Sequence, residues 1–214
     1  LTDQLNALSD SLDRDSDGLA DMGKDLQDRA RAAMFSLGAT YPELSGYYPQ
    51  PKGLLFPAFL SVQNLSGIYS PFTIEANYNS AMVSYNLPFT ICHELSHLRG
   101  FMQEEEANFI GFLACVNADD TAFNYSGYLL GWIYATNELY EVDYDTFEEI
   151  YNRLSDNVKA DLSANSSFWK RYDSKIAEVS GQINDHYLKA NGQSDGIKSY
   201  DRMVDLMITW FRSK

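Results

Sequence analysis

The sequence predicts a mainly helical α+β domain with a small β-sheet placed just before its central motif. Two observations lead to this prediction. Apolar residues recur at helical spacing through most of the chain after residue 88, and aromatic and β-branched residues are concentrated just before it. The chain has 214 residues, of which 45% are hydrophobic, and it has no internal repeat or long low-complexity linker. We therefore expect one domain over residues 1–214.

Most of the chain is expected to be helical. Leu5, Leu8 and Leu12 lie at helical spacing, and a second helix is predicted over Lys24 to Leu37. Six further helices are predicted at residues 88–99, 104–118, 124–140, 145–160, 165–188 and 199–212. The turn-forming stretch NGQSDG, residues 191 to 196, separates the last two.

The sheet is expected from two segments. LLFPAFLSVQN (54–64) and GIYSPFTIEANYN (67–79) are rich in aromatic and β-branched residues, and Ser66 and Gly67 separate them. The prolines and glycines from Tyr41 to Pro57 indicate a loop before these strands.

The acidic composition excludes nucleic acid as a partner. The formal net charge is −14, so nothing would neutralise phosphate groups. The longest apolar stretch, from Tyr125 to Tyr140, is too short and too polar to span a bilayer. Because the chain begins with Leu1, we expect it to be part of a longer protein whose signal peptide or membrane anchor lies upstream.

Cys92 and Cys115 are the only cysteines, too few for a disulfide framework. We interpret them as small core residues, because a free cysteine behaves as a buried apolar side chain. A disulfide between two neighbouring helices is the alternative, ahead of zinc ligation by either thiol.

The strongest functional signal is HELSH (93–97), which fits the H-E-x-x-H pattern. On a helix, residues four apart share a face, so both imidazoles would reach one metal ion. Glu94 lies about 100° round the helix from the first histidine, close enough to contact the nucleophilic water without ligating the metal. Pro88 would start this helix and Gly100 would end it. A helix with two solvated histidines is the alternative.

His93 and His97 would supply two ligands, and a catalytic zinc usually has three from the protein. A straight helix would place residue 104 about 10 Å along the axis from His97, so the chain must turn and a second helix must pack back on the first. One of Glu104, Glu105 and Glu106 would then face the metal, and periodicity leaves all three open.

The stretch CHELSHLRGFMQEEEANFIGFLAC (92–115) resembles the bacterial family catalogued as domain of unknown function 3810, which are presumed membrane-anchored zinc peptidases. GIYSPFTIEANYN and YLKANGQSDGIKSYDRMVDL (187–206) extend the resemblance over most of the chain after about residue 50. The arrangement H-E-x-x-H…E-x-x-A-N is also similar to the gluzincin pattern, in which the first glutamate ligates the metal.

The resemblance implies a zincin-like metallopeptidase fold with Glu104 as the third ligand. It places Asn108, where many relatives have Asp, beside that ligand as the residue that orients it. It further implies transmembrane helices before Leu1 and an extracytoplasmic domain at the cell surface.

A zinc site of this kind predicts peptide hydrolysis. Zinc would lower the pKa of water toward ~7, and Glu94 would act as the general base. A second donor would stabilise the oxyanion. Tyr200 is our catalytic candidate for this donor, and Arg202, His186 and Tyr187 are further candidates. For each, an ordinary core or surface role is the alternative.

The segment GIYSPFTIEANYN would align an extended peptide beside the metal through main-chain pairing. An ordinary core strand is the alternative for this segment.

Three functions are consistent with these residues. The leading hypothesis is a zinc-dependent peptidase that acts on a peptide or protein substrate. The alternatives are a catalytically silent metal-binding or sensing module of a membrane-anchored protein, and a zinc hydrolase of cell-wall amide bonds. Glu94 favours an enzyme, because a purely structural site would have no use for that carboxylate.

Asp13, Asp15 and Asp17, followed by a glycine, resemble the opening of a calcium-binding EF-hand loop. The twelfth position of such a loop needs a bidentate glutamate, and here it is Lys24. We interpret the segment as a solvated turn between two helices, with a weak calcium site as the alternative.

Overall fold

The computed structural model describes residues 1–190 and 202–214, and of residues 183–190 it describes the backbone alone. Within these ranges the chain forms a mainly helical α+β fold with ten α-helices and three short strands. The helices are α1 (Thr2–Ser11), α2 (Leu26–Thr40), α3 (Ala58–Val62), α4 (Asn86–His97), α5 (Glu104–Val116), α6 (Thr121–Val142), α7 (Tyr144–Asn152), α8 (Asp156–Lys170), α9 (Lys175–Ala190) and α10 (Arg202–Arg212). The strands are β1 (Lys52–Gly53), β2 (Gly67–Ser70) and β3 (Glu75–Tyr78). The predicted fold class is confirmed at this level.

The strands form one small sheet in the order β1-β3-β2. β1 runs parallel to β3, and β2 runs antiparallel to it with Gly67 opposite Tyr78 and Ser70 opposite Glu75. The sheet packs against α4, and the strand β2 lies at its edge. This arrangement places an edge strand directly beside the helix that carries the H-E-x-x-H motif.

Two hydrophobic clusters stabilise the fold. The first surrounds α4, where Ile91 and Leu95 pack with Phe112 of α5 and all three are fully buried. The second joins α1, α6 and α8 through Leu5, Leu129 and Val158 and the side chains around them. Burial of apolar side chains is the main favourable term in folding, so the first cluster fixes the position of α4 against its neighbours.

The prediction of a strand at residues 54–64 is wrong. Residues Ala58–Val62 form the helix α3, which follows Pro57. Proline is favourable just at the start of a helix because its fixed φ suits the first turn and its missing N–H is not needed there. Apolar runs of this length fit a buried strand or a short helix equally well, and here the proline decides.

The segment 67–79 is not one strand but a hairpin of β2 and β3. Residues 71–74 form the turn between them, and Ile74 has a φ of 54°. Pro71 follows β2 directly and ends it, because proline cannot donate to a strand ladder. The strand β1 lies inside the region predicted as a loop, and its two residues are too short to give a pattern.

Two of the predicted helices are interrupted. The predicted helix 145–160 is divided between α7 and α8, where the hydroxyl of Ser155 accepts a hydrogen bond from the N–H of Val158 and starts a new helix. The predicted helix 165–188 is broken between α8 and α9. Side-chain capping by serine offers the backbone N–H groups a partner outside the helix, which explains the first break.

The remaining predicted helices correspond to observed ones with shifts of a few residues at their ends. Cys92 and Cys115 are buried free thiols, as the leading interpretation expected. The turn predicted at 191–196 lies outside the described residues. None of the helices in the described ranges has both the length and the apolar character required to cross a membrane.

Candidate metal centre

The helix α4 ends where the sequence predicted a turn. Gly100 has a φ of 90°, a left-handed conformation that favours glycine, and its N–H donates to the carbonyl of His97 at 3.0 Å. The chain reverses here, and α5 packs back against α4. Gly111 allows the close approach, because a Cβ at this position would lie 3.3 Å from the backbone nitrogen of His93.

This reversal brings His93, His97 and Glu104 together. The two Nε2 atoms of the histidines lie 3.2 Å apart. Glu104 places Oε2 at 3.3 Å from Nε2 of His93 and Oε1 at 3.9 Å from Nε2 of His97. Among the described residues, this is the group in which three metal-ligating atoms from His, Cys, Asp or Glu lie within 4.8 Å of one another.

The spacing of these atoms fits a zinc ion. Ligand atoms at about 2.0–2.1 Å from a tetrahedral metal lie about 3.4 Å from each other. The separation of 3.2 Å between the two Nε2 atoms is close to that value, as are the separations of 3.3 Å from Nε2 of His93 to Oε2 and 3.9 Å from Nε2 of His97 to Oε1 of Glu104, which involve the two different oxygens of the carboxylate. Two imidazole nitrogens and one carboxylate oxygen are also the donors that catalytic zinc sites use. His93, His97 and Glu104 would therefore hold the ion with little rearrangement.

His97 is fixed in the orientation that metal binding requires. Its Nδ1 lies 2.7 Å from the carbonyl oxygen of Phe101, so Nδ1–H donates and Nε2 carries the lone pair. The turn at Gly100 delivers this carbonyl. Sequence reasoning missed Phe101, because a main-chain acceptor leaves no signature in the residue type.

Asn108 belongs to α5, and its side chain lies beside His93 of α4. Its side chain interacts with His93 and raises the pKa of that imidazole. Asn108 is buried, and both its Nδ2 and the Nδ1 of His93 have no hydrogen-bond partner within the described part of the chain. The resemblance implied that Asn108 would orient Glu104, and that role stays a prediction; the interaction that the structure shows for the Asn108 side chain is with His93.

Glu94 is only 4% exposed and lies beneath the edge strand β2. A Cβ at Gly67 would come within 2.8 Å of Cγ of Glu94, so glycine leaves the room that this side chain occupies. The neighbouring Tyr69 places its ring 5.9 Å from the ring of His97. Gly67 is the first residue of β2 and was predicted only to separate two segments, so its close approach to Glu94 could not be identified from the sequence.

In the metal-free protein, burial and neighbouring charges shift the pKa values of His93, His97 and Glu94. Burial would lower the pKa of His93, but Glu104, Glu94 and Asn108 outweigh it and raise the pKa to about 9. Burial and the charge of His93 lower the pKa of His97 to about 4. Burial raises the pKa of Glu94 to about 8, against the opposing charge of His93. At pH 7 in the metal-free protein, His93 is therefore protonated beside Glu104 and Glu94 is largely protonated as well, and a divalent cation would displace the proton on His93.

The structure separates the three consecutive glutamates. Glu104 faces the histidines, Glu105 places Oε1 at 3.6 Å from Nη1 of Arg202, and Glu106 is exposed. The predicted oxyanion candidate Arg202 thus pairs with a glutamate of α5. Tyr200 lies outside the described residues.

The side chains of His186 and Tyr187, the other two oxyanion candidates, also lie outside the described part. The oxyanion role remains a prediction for each of these residues.

The acidic loop, residues 13–21, is held by hydrogen bonds among its own residues. Oδ1 of Asp15 accepts the N–H groups of Asp17 and Leu19, each at 2.9 Å. Arg14 and Ala20 form an isolated bridge across the loop. These contacts are those of an Asp-Gly turn. A calcium ion at Asp13, Asp15 and Asp17 stays a prediction.

An H-E-x-x-H helix, a glutamate from the following helix and an adjacent edge strand thus define a candidate metal centre in a mainly helical α+β domain. The chain belongs to the family described as "Protein of unknown function (DUF3810)", which it matches over residues 1–208. No curated protein and no solved structure matches the chain.

Proposed function

We propose that this protein is a zinc-dependent peptidase with a zincin-like fold. The observation that carries the proposal is the convergence of His93, His97 and Glu104 within 4.8 Å, with the buried carboxylate of Glu94 next to them. A structural metal site would need the three ligands but would gain nothing from a fourth, non-ligating carboxylate in a desolvated position. The placement of the motif helix beside an edge strand also supports this class of fold.

Glu94 is the residue that we expect to move the proton. A bound zinc ion supplies a Lewis acid and lowers the pKa of water to about 7. Glu94 then accepts the proton of the attacking water and passes it to the leaving amine. Burial raises the pKa of this carboxyl group in the metal-free protein, and the charge of a bound zinc ion would lower it again, so that the carboxylate form would be available as a base.

The edge strand β2 offers main-chain groups for a substrate. The N–H of Asn79 donates to the carbonyl of Ser66, directly opposite it, which makes this a hydrogen-bonded pair. Hydrogen-bonded and non-hydrogen-bonded pairs alternate along an antiparallel ladder. Gly67 and Tyr69 therefore direct their N–H and C=O groups away from β3, toward the outer edge. An extended peptide that paired with these groups would lie beside Glu94 and His97.

A metal analysis and one substitution test the proposal. The purified chain, offered zinc and iron(II) in parallel, is expected to hold about one zinc per chain, because two imidazoles and a carboxylate suit zinc. The zinc-loaded protein is expected to cleave members of a mixed peptide library, detected by mass spectrometry. Glu94→Gln should keep the metal and lose cleavage by about 10²–10⁴-fold, the usual contribution of a general base.

Glu106→Gln is the matched control, because Glu106 is exposed on the next helix and should leave both metal and cleavage unchanged. A chain that takes up no zinc would contradict the proposal. Equal cleavage by the parent and Glu94→Gln would remove Glu94 from its role. Zinc binding without cleavage of any peptide would favour a sensing module, and cleavage of cell-wall peptides alone would favour an amide hydrolase.

A further inference from the structure

We propose that the open edge of β2 receives an extended, uncharged and apolar polypeptide segment. This inference rests on the proposed peptidase function and names its substrate class. It is carried by the distribution of charge and of exposed apolar side chains around β2.

The segment that surrounds β2 is almost free of charge. The 49 residues from Leu44 to Cys92 contain two charged side chains, Lys52 and Glu75, although 21% of the whole chain is charged. These two side chains pair with each other across β1 and β3. A charged substrate residue would find no free partner on this segment and would lose hydration against its apolar side chains.

Exposed apolar side chains lie on both sides of β2 along the chain. Leu55 and Phe56, which precede it, are 92% and 80% exposed, and Phe72 in the hairpin turn is 98% exposed. Ile68 of β2 itself and Ile74 after the turn are also exposed. Ile68, Phe72 and Ile74 all belong to the hairpin of β2 and β3, and large apolar side chains exposed together on one hairpin mark an interaction site.

The backbone of Ile74 is strained, and a glycine at this position would avoid that strain. Its φ of 54° lies in the left-handed region, which β-branched residues rarely adopt and which glycine adopts freely. Strained residues of this kind persist mainly at functional sites. A role in contacting the substrate would explain why isoleucine stands at this position.

A polypeptide fits the site better than a lipid surface or a second copy of the chain. Gly67 and Tyr69 direct main-chain donors and acceptors outward, and a peptide backbone can pair with them whereas acyl chains cannot. Two copies of a chain with a net charge of −14 would repel each other. The occupant is therefore an extended backbone that carries apolar, uncharged side chains.

Binding to the zinc-loaded Glu94→Gln variant of the whole chain tests this inference without cleavage of the probe. The probes are fluorescein-labelled decapeptides of Ala, Val, Leu and Thr, with matched versions that carry two Glu or two Lys. Fluorescence anisotropy is expected to show at least about tenfold tighter binding of the neutral peptide, which corresponds to about 1.4 kcal/mol.

Two substitutions in the same background identify the surface. Phe72→Ser should weaken neutral-peptide binding by about fivefold or more, because it removes a large apolar contact. Ile74→Gly should also weaken binding but raise the Tm, since it relieves the backbone strain. If Ile74 had a merely structural role, Ile74→Gly would not weaken peptide binding while raising the Tm. Phe35→Ser is the control, because Phe35 is a similarly exposed phenylalanine on α2 and should change neither.

Equal affinity for neutral, acidic and basic peptides would overturn the inference. So would binding to phosphatidylcholine vesicles that depends on Phe72 while peptide binding does not, or a dimer that Phe72→Ser dissociates.

Cleavage by the zinc-loaded parent is measured with the same unlabelled peptides. Selective binding without cleavage would support the inference and contradict the peptidase function. Cleavage of all three peptides, together with equal binding affinity for them, would contradict the inference and support the peptidase function.

Discussion

Two buried acidic clusters in this protein differ in how their polar atoms are satisfied. Asp161 of α8 is fully buried, and its Oδ2 accepts hydrogen bonds from Arg14 at 2.8 Å and from the hydroxyl of Tyr125 at 2.5 Å. Its Oδ1 accepts the N–H of Ala20 at 2.9 Å. Both oxygens of Asp161 are thus paired with groups from two other parts of the chain, the loop of Arg14 and Ala20 and the helix α6 of Tyr125.

The cluster around His93 is arranged differently. Glu104 and the two histidines crowd three ligating atoms into one place, and Nδ1 of His93, Oε2 of Glu105 and Nδ2 of Asn108 have no hydrogen-bond partner among the described residues. Both carboxylate oxygens of Asp161 have partners within the fold, although Nε of Arg14 has none among the described residues, so this cluster acts as a structural link. The His93 cluster instead brings three ligating atoms together, and we propose that it holds a metal ion.

The largest expected effect is a loss of stability when the Asp161 cluster is disrupted. Asp161→Ala should lower the free energy of unfolding by about 3–5 kcal/mol, because it leaves Arg14 and Tyr125 buried without their partner. Urea denaturation measures this change. Asp156→Ala, at an exposed position on the same helix, is the control and should cost less than about 1 kcal/mol. Equal costs for both variants would mean that the Asp161 cluster does not stabilise the fold.

The second prediction concerns the choice among the three glutamates. Glu104→Gln should weaken zinc binding by more than about 100-fold, because it removes a ligand rather than a group that orients one. Glu105→Gln should change zinc affinity by less than about threefold, since that carboxylate faces Arg202. Competition with a chromophoric chelator measures both affinities. A larger loss for Glu105→Gln would assign the third ligand to that residue instead.

The third prediction uses the space that glycine leaves beside Glu94. Gly67→Ala should reduce peptide cleavage by about 100-fold with zinc content unchanged, because the added Cβ displaces the carboxylate of Glu94. Gly53→Ala is the matched control in the same sheet, where the added Cβ meets Tyr78 and Ser80 at 3.3 Å and can be accommodated by small shifts. If both variants cleave equally, the position of Glu94 does not depend on Gly67.

The smallest expected effect is a proton release. The pKa of His93 is raised to about 9 in the metal-free protein, so His93 is protonated at pH 7 and zinc must displace that proton. Zinc affinity should therefore rise as the pH rises toward about 9, and at pH 7 binding should release at least about one proton, because Glu94, with a pKa of about 8, can lose its proton as well. Calorimetry in two buffers with different ionisation enthalpies measures this number. No proton release at pH 7 would contradict the charge state assigned to His93.

The sequence predicted the helical regions well where the apolar spacing was long and uninterrupted, as in α4, α5 and α6. It failed at residues 54–64 because an apolar run of that length suits a strand or a helix, and the packing around Pro57 decided between them. It also joined α7 to α8, because the cap at Ser155 acts over three residues while the apolar pattern continues across it.

The relation among His93, Glu94 and His97 was determined by the sequence alone, because residues four apart on a helix share a face wherever the helix lies. Glycine at position 100 likewise determined where that helix ends. Only the tertiary structure decided that Glu104 faces the histidines, that Phe101 orients His97 and that β2 covers Glu94. These contacts join segments whose packing is set by the whole hydrophobic core, and no local pattern in the chain encodes them.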